Sequence, residues 1–169
     1  MREIHETVLV PTPVAIRLSD DVVRHGTQTP DRVILARRVD GAWTGVTAGE
    51  FLADVRRLAK GLVASGVQVG DRVGLMSRTR FEWTLVDYAV WFAGGVTVPI
   101  YETSSAEQVE WILSDSGAVA VVYESERHVA QHAEIAERLT PDLQVVVMDR
   151  GDLDGLRTLG ESVSDEELE

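Results

Sequence analysis

The 169-residue sequence has no cysteine, which excludes disulfides and thiolate metal sites and fits a reducing compartment. Lysine is almost absent: of 16 basic residues, Lys60 is the one that is not arginine. Positive charge is scarce overall, with 28 acids and a net charge of −12. Neutralising phosphates takes clustered Lys and Arg, so no nucleic-acid partner is expected. The start, MREIHETVLVPTP, lacks the basic-then-apolar pattern of a signal peptide. The longest apolar-dominated stretch, Leu85 to Ile100, is broken by Asp87 and a Gly-Gly pair and is too short for a membrane span. Together these absences predict a cytoplasmic location.

What the chain does contain is a dense run from Gly70 to Ser116, GDRVGLMSRTRFEWTLVDYAVWFAGGVTVPIYETSSAEQVEWILSDS, with almost no loop. Strand patterns fall at Arg72–Met76, Val96–Ile100, Ala118–Tyr123 and Leu143–Met148, and helical patterns near 80–93, 105–115 and 126–139. Three strand–helix–strand units in a row predict right-handed crossovers and a parallel sheet. AVAVVY and LQVVVM are apolar on both sides, as buried parallel strands are. The expected fold is α/β, a partial doubly wound, mainly parallel sheet with flanking helices, preceded by a β-hairpin and a helix. Hairpin plus helix occupy 33–66, the βαβαβαβ unit 71–148, and an acidic end 151–169.

Local signals sharpen this plan. Pro11 and Pro13 keep residues 1–18 extended, and Ser19 is placed to cap a helix to about His25. Val33–Arg38 reads as a strand, with Asp40-Gly41 turning the chain toward Trp43 and Val46. Thr47/Glu50, Thr79/Glu82 and Ser104/Glu107 have capping-box spacing. Gly66, Gly94 and Gly117 supply C-terminal stops. Phe51, Val55, Leu58 and Leu62 share one helix face. The helix bearing Trp83, Tyr88, Trp91 and Phe92 is apolar nearly all round, so further protein is expected to pack on it. Left uncovered, Trp83 or Trp91 would make the chain self-associate. Beyond Asp149 periodicity fades; one helical turn is expected over Gly155–Leu159, then a solvated acidic end.

Chemistry is sparse. The strand-to-helix turns Ser77-Arg78-Thr79-Arg80, Glu102-Thr103-Ser104-Ser105 and Glu124-Ser125 contain no glycine, so neither a P-loop nor a dinucleotide fingerprint is present. Thr103, Ser104 and Ser105 are weak cofactor-binding candidates, able to offer amides and hydroxyls to an anion at a helix start, or simply to cap it. His128 and His132, four apart with Glu124 nearby, read either as a metal pair or as a partly exposed helix surface. The surface reading is preferred because no glutamate stands between them, and the expectation is no metal site. His5 and His25 have no activating neighbours. Arg78 and Arg80 are placed either to reach a phosphate or to pair with Glu82 or Asp87. Glu82 and Asp87, five apart, do not share a helix face well enough for a carboxylate pair. Trp83, Trp91 and Trp111 read as packing anchors. No catalytic residue is assigned.

The run GLVASGVQVGDRVGLMSRTRFEWTLVDYAVWFAGGVTVPIYETSSAEQVEWILSDSGAVAVV resembles the N-terminal region of long-chain fatty-acid–CoA ligases, members of the adenylate-forming superfamily, in their bacterial, actinobacterial-like form. The likeness extends through TPDRVILARR, GAWTGVTAGEF and LAKGL, and its most specific elements are Arg80-Phe81-Glu82-Trp83 and Val98-Pro99-Ile100-Tyr101-Glu102-Thr103. It implies a parent enzyme, several hundred residues longer, that uses Mg-ATP to convert a fatty acid to an acyl-adenylate and then transfers the acyl group to coenzyme A. The family's phosphate loop, adenine motif and catalytic lysine find no match here, and Lys60 does not correspond to that lysine. The chain alone is therefore expected to be inactive and to bind none of ATP, Mg²⁺ or coenzyme A. Its main partner is expected to be the rest of the ligase polypeptide, and a homodimer and peripheral membrane association are compatible with the resemblance. Two other readings stay open: a non-catalytic binding or regulatory module of the same fold, and a fragment of a ligase for aryl or medium-chain acids.

Overall fold

The computed structural model describes residues 17–168, so residues 1–16 of the extended segment expected over 1–18, with His5, lie outside the described residues. Helix α1 (Asp20–Gln28) leads into a hairpin of β1 (Val33–Val39) and β2 (Ala42–Thr47). Asp40 and Gly41 both take positive φ, 50° and 83°, the two-residue turn whose twist suits antiparallel strands. Thr47 then starts α2 (Ala48–Ala64) with a complete capping box: Glu50 N donates to the Thr47 hydroxyl at 3.2 Å and Thr47 N to the Glu50 carboxylate at 2.9 Å. Phe51, Val55, Leu58 and Leu62 are all buried, as their spacing predicts.

The alternating region forms β3 (Arg72–Met76), α3 (Phe81–Phe92), β4 (Val96–Ile100), α4 (Ala106–Ser116), β5 (Ala120–Tyr123), α5 (Glu126–Ala133) and β6 (Gln144–Val147). The four strands are parallel in the order β4-β3-β5-β6. Because the chain steps from β3 outward to β4 and then back across β3 to β5, its helices cover both faces. One face packs α2 and α3 against Val73, Leu75, Ala120 and Val122. The other packs Val109 and Leu113 of α4, with Ile135 and Leu139, against Met76, Val121 and Tyr123. Arg72 fastens the central strand to the end of α4, donating to the carbonyls of Ser116 (2.7 Å) and Gly117 (2.8 Å), groups a helix end leaves unpaired.

Several expectations are corrected. Ser19 makes no side-chain cap; Arg17 N donates to Asp20 Oδ2 instead, and α1 runs three residues past His25. The box expected at Ser104/Glu107 forms one residue on, between Ser105 and Gln108. At Thr79/Glu82 there is none: Arg80 is the N-cap, and its guanidinium takes the Glu82 carboxylate at 2.6 Å. The helix expected over 126–139 stops at Ala133, with a separate 3₁₀ turn at Ala136–Arg138. Trp83 and Trp91 are half-buried, whereas Trp43 and Trp111 are the exposed tryptophans.

The largest correction is the acidic end. Residues after Asp149 fold as α6 (Asp152–Leu159), a 3₁₀ turn and α7 (Asp165–Leu168), with α6 docked on α2. Leu153 and Leu156 join the core. Arg157 grips Asp54 with two bonds of 2.7 and 3.0 Å, and Lys60 reaches Asp165 at 2.8 Å. Backbones approach closely at Gly61, where an added Cβ would lie 2.5 Å from the Leu156 carbonyl carbon.

Candidate functional site

In an open α/β sheet, ligand crevices lie at the carboxyl ends of the strands where strand order reverses. Here that point falls between β3 and β5. The first polar residue after the fully buried strand β5 is Glu124, only 4% exposed. Its carboxylate accepts four hydrogen bonds: Arg78 N at 2.8 Å, Arg78 Nε at 3.0 Å, Arg78 Nη2 at 2.6 Å and Ser77 Oγ at 3.1 Å. The Arg78 guanidinium lies 3.6 Å from Glu102 as well, so one side chain bridges the loops after β3, β4 and β5. These bonds, the Arg78 guanidinium foremost, outweigh burial and hold the Glu124 carboxyl down at about 2. Arg80 adds a second tie, bonding Glu82 at 2.6 Å and Asp149 at 2.8 Å.

The expected pairing of arginines with carboxylates holds for both, but Arg78 uses Glu124 and Glu102 rather than Glu82 or Asp87. Asp87 lies apart, and burial pushes its carboxyl up. A cleft of about 420 Å³ opens beside the clasp, walled by Trp83, Pro99 and Tyr101 and floored by Ser77 and Arg78. Tyr101 is also the ridge to a second, shallower apolar groove that reaches Trp111 on α4.

The hydroxyl turn is largely committed to structure. The Ser105 hydroxyl accepts from Gln108 N at 3.3 Å, Ser104 N donates to Tyr101 O at 3.0 Å, and the Ser104 carbonyl accepts from Gln131 Nε2 at 2.6 Å. Thr103 is exposed beside Glu102. Among the described residues, no group of three or more His, Cys, Asp or Glu is placed to hold a metal ion.

The histidines were expected on a partly exposed surface, but His128 is buried, its ring parallel to Tyr123 at 6.2 Å. His132 Nδ1 lies 2.8 Å from the Tyr123 hydroxyl. Burial lowers the His132 pKa, so the ring that shares this hydrogen bond is held toward its neutral form. Glu124, the expected neighbour of the pair, is turned away to Arg78. Because the folded pKa is depressed, the unfolded chain binds the proton more readily, and stability falls as pH drops through about 6.5. Urea midpoints of the wild type are expected to fall between pH 7.5 and 5.5, with a smaller fall in His132→Gln; equal falls in both would refute this.

Sequence reasoning missed Glu124 as the organiser of the three loops. Its one signal was a lone acid directly after an all-apolar parallel strand. The partner Arg78, 46 residues earlier, carries no local mark of the pairing.

With this geometry in hand, the similar proteins can be placed. A family model described as AMP-binding enzyme matches residues 22–169. The long-chain-fatty-acid–CoA ligase FadD15 of Mycobacterium bovis is 44% identical over 176 residues, covering 99% of this chain and 28% of that protein. FadD15 of Mycobacterium tuberculosis is 43% identical with the same coverage. The chain thus spans just over a quarter of the length of these curated relatives. Among solved structures, VinN matches with a TM-score of 0.72 at 21% identity, over 87% of this chain and 36% of that one, a likeness of fold.

Proposed function

The chain belongs to the AMP-binding enzyme family, and from that premise we propose that it is the N-terminal scaffold of a long-chain fatty-acid–CoA ligase. In this reading the parent joins a fatty acid to coenzyme A through an acyl-adenylate, using Mg-ATP, in the cytoplasm. The observation that carries it is the 44% identity to the FadD15 ligase over 99% of this chain. No helix among the described residues is long and apolar enough to cross a membrane.

The role proposed for these residues is positional. Arg78, Glu124 and Glu102 lock three loops together, giving one rigid rim at the carboxyl ends of the strands. Such a rim is a platform against which the remaining polypeptide can seat its substrate-binding loops. Developing charge on a transferred phosphoryl group would need amides, Lys, Arg or Mg²⁺ supplied from outside this chain. Residues 33–66 and 71–148 are proposed as the structural units of that scaffold, with 151–169 as its acidic end.

Two measurements test the proposal. The full-length polypeptide should release pyrophosphate with palmitate faster than with octanoate or benzoate, and a preference for benzoate would move the assignment to aryl-acid ligases. The isolated chain should show no ATP–pyrophosphate exchange, and exchange above background would place an active site within it.

A further inference from the structure

At the amino ends of β3 and β4, opposite the clasp, lies an open groove of about 620 Å³. Val63, Val67, Val69, Trp91 and Phe92 line it, together with Leu168 of α7. A smaller hollow of about 240 Å³ continues it past Leu18 and Gly95, with Arg17, Trp91 and Gly94 common to both. The lining is apolar yet open to water: Val69 is 88% exposed and Leu18 75%. Trp91 and Phe92 are the last two residues of α3, the helix whose apolar surface calls for cover.

Two observations point to what covers it. The first is where the chain arrives. Arg17 lies in the wall of both hollows. Its N–H donates to Asp20 Oδ2 at 2.8 Å and its carbonyl accepts from Asp20 N at 3.1 Å, which fixes the backbone at that wall. The residues that precede Arg17 therefore begin at the groove. The second is their composition. Residues 8–16, VLVPTPVAI, hold six aliphatic side chains and no charge, in a chain of net charge −12. Pro11 and Pro13 bring no amide that burial would leave unpaired, and they favour the extended backbone of a strand laid in a groove. A separate partner would have to supply roughly 800 Å² of matching surface to stay bound. A segment already joined at Arg17 meets the groove at an effective concentration on the order of millimolar.

We infer that residues 8–16 lie along this groove as an apolar strap, covering Val69, Trp91 and Phe92 and tying the end of α3 to α7. The cover that α3 calls for on this side then comes from the same chain. The strap does not depend on the ligase reading, and its test measures no activity, so the two succeed or fail separately.

The test is hydrogen exchange, read by mass spectrometry, on the full-length polypeptide. Amides of residues 8–16 are expected to exchange about tenfold or more slowly than those of the free peptide VLVPTPVAI. Val69→Asp, at a position 88% exposed, should remove that protection. Val10→Asp should in turn speed exchange about threefold or more in the groove segments 63–69 and 91–95, and it covers the case of a Val69 variant that disturbs the loop before β3. Free-peptide rates at residues 8–16 in the wild type, or protection that neither substitution changes, would overturn the inference. So would protection that vanishes on dilution to the monomer, which would assign the groove to the segment of a second copy.

Discussion

Glu124→Gln is expected to cost about 2 kcal/mol of stability at pH 7, the range for losing hydrogen bonds to a charged, buried acceptor. The side chain keeps its size, so the loss isolates the charge and the acceptor geometry. The amide oxygen can take the two guanidinium bonds, which share Oε1 at 2.6 and 3.0 Å, but without the charge, and the amide NH₂ then faces Arg78 N and Ser77 Oγ, the donors that Oε2 accepts from at 2.8 and 3.1 Å. The cost stays near the low end because Arg78 is 68% exposed and water can resolvate it. The pH dependence gives an independent signature. The folded carboxyl, at about 2, lies below the ordinary carboxylate value near 4.3. The unfolded chain therefore takes up the proton first, and the stabilisation, complete above about pH 4.3, drains away as pH falls toward 2. Urea midpoints of wild type and variant should differ at pH 7 and converge by pH 2.5. A gap that is absent at pH 7, or constant across this range, would rule out the clasp as the source.

Gly61→Ala is expected to destabilise by about 3 kcal/mol, the upper part of the range for overpacking a tight contact. On helix propensity alone the substitution should gain nearly 1 kcal/mol, since Gly61 lies inside α2. Geometry decides the sign. The new methyl would press on the Leu156 carbonyl, and Gly160 already approaches Gly61 N so closely that its own added Cβ would lie 2.6 Å away. Both obstacles are backbone and cannot swing aside. Relief requires α6 to lift, which strains the Arg157–Asp54 pair and exposes Leu153 and Leu156. Thermal melts should show the drop, and limited proteolysis should cut first between residues 151 and 168. A melting temperature equal to or above wild type would remove the close-contact explanation.

Much of the framework was legible because it is written locally. The strands Arg72–Met76 and Val96–Ile100 form as expected, since a short apolar run between turn signals has few alternatives in an alternating chain. The Thr47/Glu50 box forms because both members lie within one turn and neither has a better partner. Thr79/Glu82 fails for the opposite reason: Arg80 offers Glu82 a charged partner, and the preceding backbone is held by Glu124 from another loop. The candidate site was hidden for the same cause. Arg78, Ser77, Glu102 and Glu124 meet only after the sheet is assembled. His128 looked like a surface residue because its helix is polar, but the aromatic face of Tyr123 buries it. At the acidic end the weak periodicity showed only one helical turn of what is α6; Leu153, Leu156 and Gly160 were visible, yet their receptor on α2 was not.

The strand order also sets a timetable for synthesis. Central strand β3 gains β4 as its first neighbour, but its other edge stays open until β5 emerges about two dozen residues later. At ribosomal speeds of roughly 5–20 residues per second, that edge waits on the order of one to five seconds. During that interval the nascent chain presents Val73, Leu75 and Met76 with half their hydrogen-bonding groups unmet, a template for pairing with a neighbouring nascent chain. Arrival of Ala120–Tyr123 closes the edge and brings Glu124 to Arg78 in the same movement. The clasp thus acts as a latch on the step that ends the risk of misassembly, and Glu124 substitutions should lower soluble yield in cells by more than their cost in stability.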